Sequence, residues 1–203
     1  MAQKLAGRKQ EFIACHTAPP LINRLSQTNE AFSCASGDST VEYHGLLVLF
    51  TVKLLHIYIS PEHNYFGHHG KPPGEAPMIE VDEVECVAEK GLVGDRFFGW
   101  KEDYKGQVTF FAHEVYERLC EQFQIMGVPP SIFRRNIITK GVDLNTLIGQ
   151  EFEVQGVRFL GMCECSPCYW MDQAFAEGAE AAMKNNGGLR AKVLSTGALS
   201  KES

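Results

Sequence analysis

The sequence predicts an α+β protein, mainly β, with a curled sheet or barrel at its centre. Three observations carry this expectation. Several short runs are rich in β-branched and aromatic residues and alternate in part between apolar and polar. Two longer segments read as helices, one of them with apolar residues at i, i+4 and i+8. Clusters of glycine, proline and asparagine separate these runs.

The first 45 residues differ from the rest. They are rich in Ser, Thr, Asn and Ala, carry Pro19-Pro20 and hold no sustained period. They are expected to form a poorly ordered leader over 1–45, ahead of one domain over 46–203 that ends in a short C-terminal tail. Order is expected to begin near Leu46. Residues 51–59 are β-branched and aromatic and read as a strand, and a polar loop follows over 60–77. The run IEVDEVECV at 79–87 alternates as a strand with its acids on one face. Gly91 and Gly94 mark a turn before Asp95-Arg96, and 107–111 is a short strand. In 113–124, Val115, Leu119 and Phe123 form one stripe with Tyr116 and Cys120 beside it, an amphipathic helix that ends before Pro129-Pro130. Residues 136–140 form a strand, and 152–155 and 157–162 flank Gly156 as a hairpin. A second helix is expected over 169–184, stopped by Asn185-Asn186-Gly187-Gly188, and 189–195 is the last strand.

Composition excludes several classes of protein. At 203 residues, 44% apolar and 22% charged, the chain suits one globular domain and is too apolar to be disordered throughout. Its longest apolar run, 46–59, falls short of the roughly 18 residues a membrane span requires. That run also contains Thr51, Lys53 and His56. The first 51 residues are balanced, so the net charge of −6 lies in the body, which argues against a nucleic-acid surface. Seven cysteines, an odd number, do not suit a secreted disulfide scaffold. No signal peptide is legible, so a reducing, cytoplasmic location is expected. Lys4, Arg8 and Lys9 precede the first acid, Glu11, which leaves an organelle-targeting reading open.

The sharpest chemical signal is Cys165-Ser166-Pro167-Cys168, where a predicted strand ends and a helix begins. A thiol at a helix N-terminus is favoured as thiolate, the form that attacks and that binds metal. The pair reads as a redox dithiol, as half a zinc site with Cys163 nearby, or as one thiolate for a soft metal. Three buried thiols acting as small hydrophobes are the ordinary alternative. Phe133-Arg134-Arg135-Asn136 precedes a strand, so its neighbouring arginines point to opposite faces and one enters a given site. A guanidinium fork matches phosphate or carboxylate, and an Asn beside it can meet a heterocycle edge. A solvated basic turn is the alternative. Gly91-Leu92-Val93-Gly94-Asp95-Arg96 lacks dinucleotide-fingerprint spacing, so Asp95 pairs with a neighbouring arginine or Arg96 faces an anion. The segment 67–74 fails as a P-loop because Pro72 follows Lys71, and His63, His68 and His69 are either metal ligands or surface residues.

In order, G-x-x-G-D-R at 91–96, K-G-Q at 105–107, F-R-R-N at 133–136, I-G at 148–149 and C-x-P-C at 165–168 resemble a MOSC domain over about 52–197. Such domains occur at the C-terminus of molybdenum-cofactor sulfurases, in the mitochondrial amidoxime-reducing component and in small bacterial proteins. The resemblance implies a β-barrel with peripheral helices and a molybdenum–molybdopterin cofactor. It implies that Cys168 is the metal ligand and catalytic residue. Arg134 and Asn136 would match the R-x-N segment that contacts the pterin or its phosphate. Arg96 would be a further cofactor-facing arginine, and Ser166 would lie in the cofactor-binding turn. Ser60-Pro61-Glu62-His63-Asn64 stands where the amidoxime reducers carry a lysine. The aminotransferase-like half of the sulfurases has no counterpart, so no pyridoxal phosphate is expected on this chain.

Two functions follow from the resemblance. One is an oxidoreductase that reduces N-hydroxylated compounds with an external electron donor. The other is a cofactor-binding or persulfide sulfur-carrier module serving another molybdoenzyme. The expected partners are an electron-transfer protein, or a cysteine desulfurase or molybdoenzyme, with a small-molecule substrate and neither nucleic acid nor membrane.

Overall fold

The computed structural model describes residues 48–49, 52–64 and 72–202. The expectations for 1–45, for Leu46 and Thr51, and for His68 and His69 lie outside these residues.

Among the described residues the strands are β1 (Val48–Leu49), β2 (Lys53–Ile59), β3 (Ile79–Val81), β4 (Glu83–Val87), β5 (Gly91–Leu92) and β6 (Val108–Ala112), followed by β7 (Ile137–Lys140), β8 (Glu151–Val154), β9 (Val157–Glu164), β10 (Leu189–Val193) and β11 (Gly197–Ser200). The helices are α1 (His113–Phe123), α2 (Trp170–Ala174) and α3 (Ala179–Ala182), with 3-10 turns at Pro130–Phe133 and Leu144–Leu147. The class is α+β, mostly β. One sheet has the order β1-β8-β9-β10-β6-β7-β2-β3, and a smaller one the order β11-β4-β5. Both orders are open: no strand pairing among the described residues closes either sheet on itself.

One apolar core lies between the sheets. Leu54 and Ile57 of β2, Phe110 of β6, Phe152 and Phe159 of the hairpin, and Leu189 and Val193 of β10 meet Val84, Cys86, Leu92 and Leu199 of the small sheet. The rings of Phe110, Phe152 and Phe159 sit 5.3–5.6 Å apart, edge-on or offset, as aromatic quadrupoles prefer. Burial of each such side chain is worth roughly 1.5–3 kcal/mol. Alternate residues leave by the opposite face. Tyr58, Phe111 and Ile138 therefore join Leu119 of α1, Phe133, and Trp170 and Met171 of α2 in a second cluster. The middle of the large sheet is thus covered on both faces. That explains the near-continuous burial of β6 and β7, a parallel pair whose Thr109 and Thr139 are buried with their apolar neighbours. No helix among the described residues is long and apolar enough to cross a membrane.

The structure departs from expectation at four places. The run 79–87 is two strands, β3 and β4, that part at Asp82 and enter different sheets. The tail carries β11, which pairs antiparallel with β4. The helix expected over 169–184 breaks into α2 and α3. Gly178 takes φ 89° between them, and Asp172 accepts the Glu180 amide at 2.7 Å. The strand expected over 189–195 is β10, which ends at Val193, two residues early.

Candidate functional site

A row of paired residues crosses the large sheet and brings the sequence motifs together. Tyr58 of β2 bonds the Asn136 carbonyl just before β7, and Asn136 in turn bonds the Thr109 carbonyl of β6. Thr109 pairs with Arg190 of β10, and Arg190 with Cys163 of β9. A bulge follows at once, since Ala191 pairs with Gly161, and bulges re-aim side chains near functional sites.

Asp95 anchors the row. Its carboxylate is fully buried and accepts from the Ser60 amide at 3.1 Å, the Phe97 amide at 3.1 Å, the Asn136 carboxamide at 3.0 Å and Arg96 at 3.2 Å. The expected pairing of Asp95 with a neighbouring arginine is therefore present. The Arg96 side chain is only 8% exposed. Its guanidinium also donates to the Arg134 carbonyl and lies 4.8 Å from the Phe97 ring centre. Burial lowers its proton affinity, and Asp95 opposes that.

Asn136 is fully buried and internally satisfied. Its oxygen accepts from the Thr109 amide and hydroxyl, and its nitrogen donates to the Tyr58 carbonyl and Asp95. All four hydrogen-bonding positions of the carboxamide are used. In this structure Asn136 fixes the site's floor and offers no donor or acceptor to a bound molecule.

The two arginines before β7 face opposite walls. Arg134, at φ 54°, donates to the Ala76 carbonyl at 3.0 Å, the Ser60 hydroxyl at 2.9 Å and the Glu62 carbonyl at 3.3 Å. Arg135 turns toward the cysteine segment and donates to the carbonyls of Cys165 and Gly187. Arg190 lies within electrostatic reach of the Cys165 side chain and of Tyr104, which itself stacks on Phe97. Sequence reasoning named the Arg134-Arg135 pair but gave Arg135 no role of its own, and it assigned none to Arg190 or Tyr104. The strand assignment of 189–195 gave Arg190 a position but no partner.

Cys165 is buried, while Ser166 and Cys168 are exposed. Cys165 and Cys168 are both thiols rather than a disulfide. Because α2 has only five residues, the helix-dipole argument for a Cys168 thiolate loses its basis. Among the described residues no three His, Cys, Asp or Glu side chains come together as metal ligands, so the zinc reading finds no ligand set there. A cleft of about 480 Å³ opens beside the cysteine segment, lined by Glu164, Ser166, Pro167, Asp172, Glu180 and Lys184.

The chemistry of this donor set suits an anion. Arg96, Arg135 and Arg190 bring three guanidiniums around Cys165; Asp95 pairs with Arg96, and the Glu164 carboxylate lies close by, accepting the Gly187 amide. These residues fit a phosphate-bearing ligand, and the exposed Cys168 thiol fits a soft metal.

His63 sits edge-on to Phe97 at 4.8 Å and Trp100 at 4.7 Å. Burial, with Arg96 and Arg134 adding to it, holds its imidazole below the ordinary value of 6.5. The unfolded chain therefore takes up this proton first as pH falls. The stability His63 contributes is present above about pH 6.5 and is lost below it. The melting temperature should fall between about pH 7 and pH 5, and His63→Gln should flatten that slope. An unchanged slope in the variant would contradict this assignment.

The fold and the site define a MOSC domain. The MOSC domain family model matches residues 68–201, and the chain belongs to this family. Among solved structures it resembles the YUAD protein from Bacillus subtilis, at 16% identity and a TM-score of 0.59 over 74% of this chain and 91% of that one. It also resembles YiiM from Geobacillus stearothermophilus, at 11% identity and a TM-score of 0.54 over 73% of this chain and 71% of that one. A hypothetical protein is similar at 22% identity and a TM-score of 0.54, over 73% of this chain and 63% of that one. At these identities the likeness is one of fold. No curated protein matches the chain.

Proposed function

We propose that this chain binds a molybdenum–molybdopterin cofactor, with Cys168 as the metal ligand, and reduces N-hydroxylated compounds. The observation that carries the reading is the cluster of Arg96, Arg135 and Arg190 around Cys165, with Asp95 paired to Arg96, beside a segment that ends in an exposed thiol. Arg96 and Arg190 bind the anionic part of the cofactor. Arg134 joins the walls formed by Ser60, Glu62 and Ala76. Asn136 holds Asp95, and through it Arg96, in place. Ser166 borders the cleft that admits the substrate. When bound, the cofactor supplies the redox change. The net conversion takes an N-hydroxyl compound, two electrons and two protons to the parent amine-type base and water, with electrons from a separate donor. The working unit is the domain over 46–203, with its two sheets forming the family's barrel and a cytoplasmic location.

Cofactor-loaded protein should reduce an aromatic amidoxime with a reduced viologen as donor. Cys168→Ala should lower the rate by at least about a hundredfold. No turnover across a panel of N-hydroxylated compounds would overturn the enzyme reading.

The exposure of Cys168 also supports a second reading, a sulfur carrier. It predicts one added sulfur atom on Cys168, seen by mass spectrometry after exposure to a cysteine desulfurase. An unmodified Cys168 would remove it.

A further inference from the structure

We infer that Arg135 is a positioning residue. It clamps the Cys165–Cys168 turn to the Gly187–Gly188 segment and so sets where the Cys168 thiol is presented. The functional weight of this inference rests on the reading of Cys168 as the working thiol; the clamp itself does not.

Arg135 is 8% exposed, and among the described residues its guanidinium meets no carboxylate. It donates instead to three backbone carbonyls: Gly187 at 2.9 Å, Phe133 at 2.7 Å and Cys165 at 2.9 Å. These carbonyls belong to three separate segments: the end of a 3-10 turn, the exit from β9 and the entry to β10. A buried cation is costly unless its donors are satisfied, and a buried carbonyl is costly unless it accepts. The planar fork meets both requirements at once, which an ammonium group cannot do in the same geometry.

The other ties converge on the same point. The Cys165 amide donates to the Gly188 carbonyl at 2.7 Å, and the Gly187 amide to the Glu164 carboxylate at 3.0 Å. Cys165 is therefore held by its N–H and by its carbonyl, both against 187–188 and Arg135. The next backbone tie is at Cys168, whose carbonyl accepts the Met171 amide at 2.8 Å. Between these anchors the backbone carries Ser166 and Pro167 and delivers Cys168 to the surface. Loosening the first anchor frees the turn without touching the core between the sheets.

Native-state thiol labelling tests this on the full chain without cofactor. Iodoacetamide is applied and each cysteine is followed by peptide mass spectrometry. Cys86 is the internal reference, since it is fully buried in β4 and burial pushes its thiol up to about 12. It reacts only when the core opens. In the parent chain Cys168 is expected to label, with Cys165 and Cys86 protected. Arg135→Met should speed Cys165 labelling by about tenfold or more, with Cys86 unchanged. Arg135→Lys, which keeps the charge but loses the fork, should fall between.

If Cys165 and Cys86 lose protection together, Arg135 supports only global stability and the inference is overturned. It is equally overturned if Cys165 protection does not change. Should Arg135→Met not fold, the ratio in Arg135→Lys decides by the same criterion. Because no metal enters this measurement, failure of the cofactor reading would leave its outcome intact, and the reverse also holds.

Discussion

Asp95→Ala should cost about 3–5 kcal/mol of folding stability, the range for removing one member of a buried charged pair. The carboxylate is the common acceptor for Ser60, Phe97, Arg96 and Asn136. Its loss leaves the Arg96 guanidinium charged and desolvated, and leaves one hydrogen of the Asn136 carboxamide without an acceptor. Urea unfolding reads the cost directly. A second substitution sharpens the test. Arg96→Met alone is costly, but in the Asp95→Ala background it should recover part of the loss, because it removes the stranded charge. A loss under about 1 kcal/mol, or strict additivity of the two changes, would show that Asp95 does not organise the site.

Gly187→Ala should damage the site more selectively. A Cβ at this position would lie 2.8 Å from Pro167 Cδ and 3.1 Å from the Pro167 nitrogen, and would also strike the Cys165 carbonyl oxygen. Two of these three atoms are backbone, and the third belongs to a rigid ring, so the cysteine segment must move as a unit. Overpacking of this kind costs about 1–3 kcal/mol. The displacement falls on the segment that presents Cys168, so metal retention should fall further than the melting temperature implies. Gly156→Ala in the β8–β9 turn is the control. Its Cβ would meet nothing within 4 Å, and only its φ of 81° is strained. Equal losses of metal in the two variants would show that the Gly187 contact has no special relation to the site.

The strands and the first helix were legible because their signals are local. Val115, Leu119 and Phe123 mark α1 by spacing, and Gly156 marks the hairpin by its turn. The division of 79–87 was not legible, since both halves alternate alike and only the partner strands differ. α2 and α3 were read as one helix because the run is rich in helix formers. The break depends on Gly178 at positive φ and on Asp172 reaching the Glu180 amide, and the second of these is a tertiary choice.

The site shows the same division. Asp95-Arg96 and Cys165–Cys168 stood out as chemistry at defined spacing. Arg190 reaches Cys165 only through the register of β9, β10 and β6, which no sequence window contains. Asn136 was singled out as a cofactor contact through the resemblance. In the structure its side chain joins three segments, because a buried carboxamide must find four partners and finds them all in the protein.

The central claim is that Cys168 holds molybdenum in a site built for an anion. The most direct measurement is metal content by plasma mass spectrometry. The chain is produced in a host that makes the cofactor, purified without oxygen, and compared with Cys168→Ser. The account predicts near-stoichiometric molybdenum in the parent protein and its loss in the variant. Zinc in place of molybdenum, or molybdenum equally retained without the thiol, would contradict it.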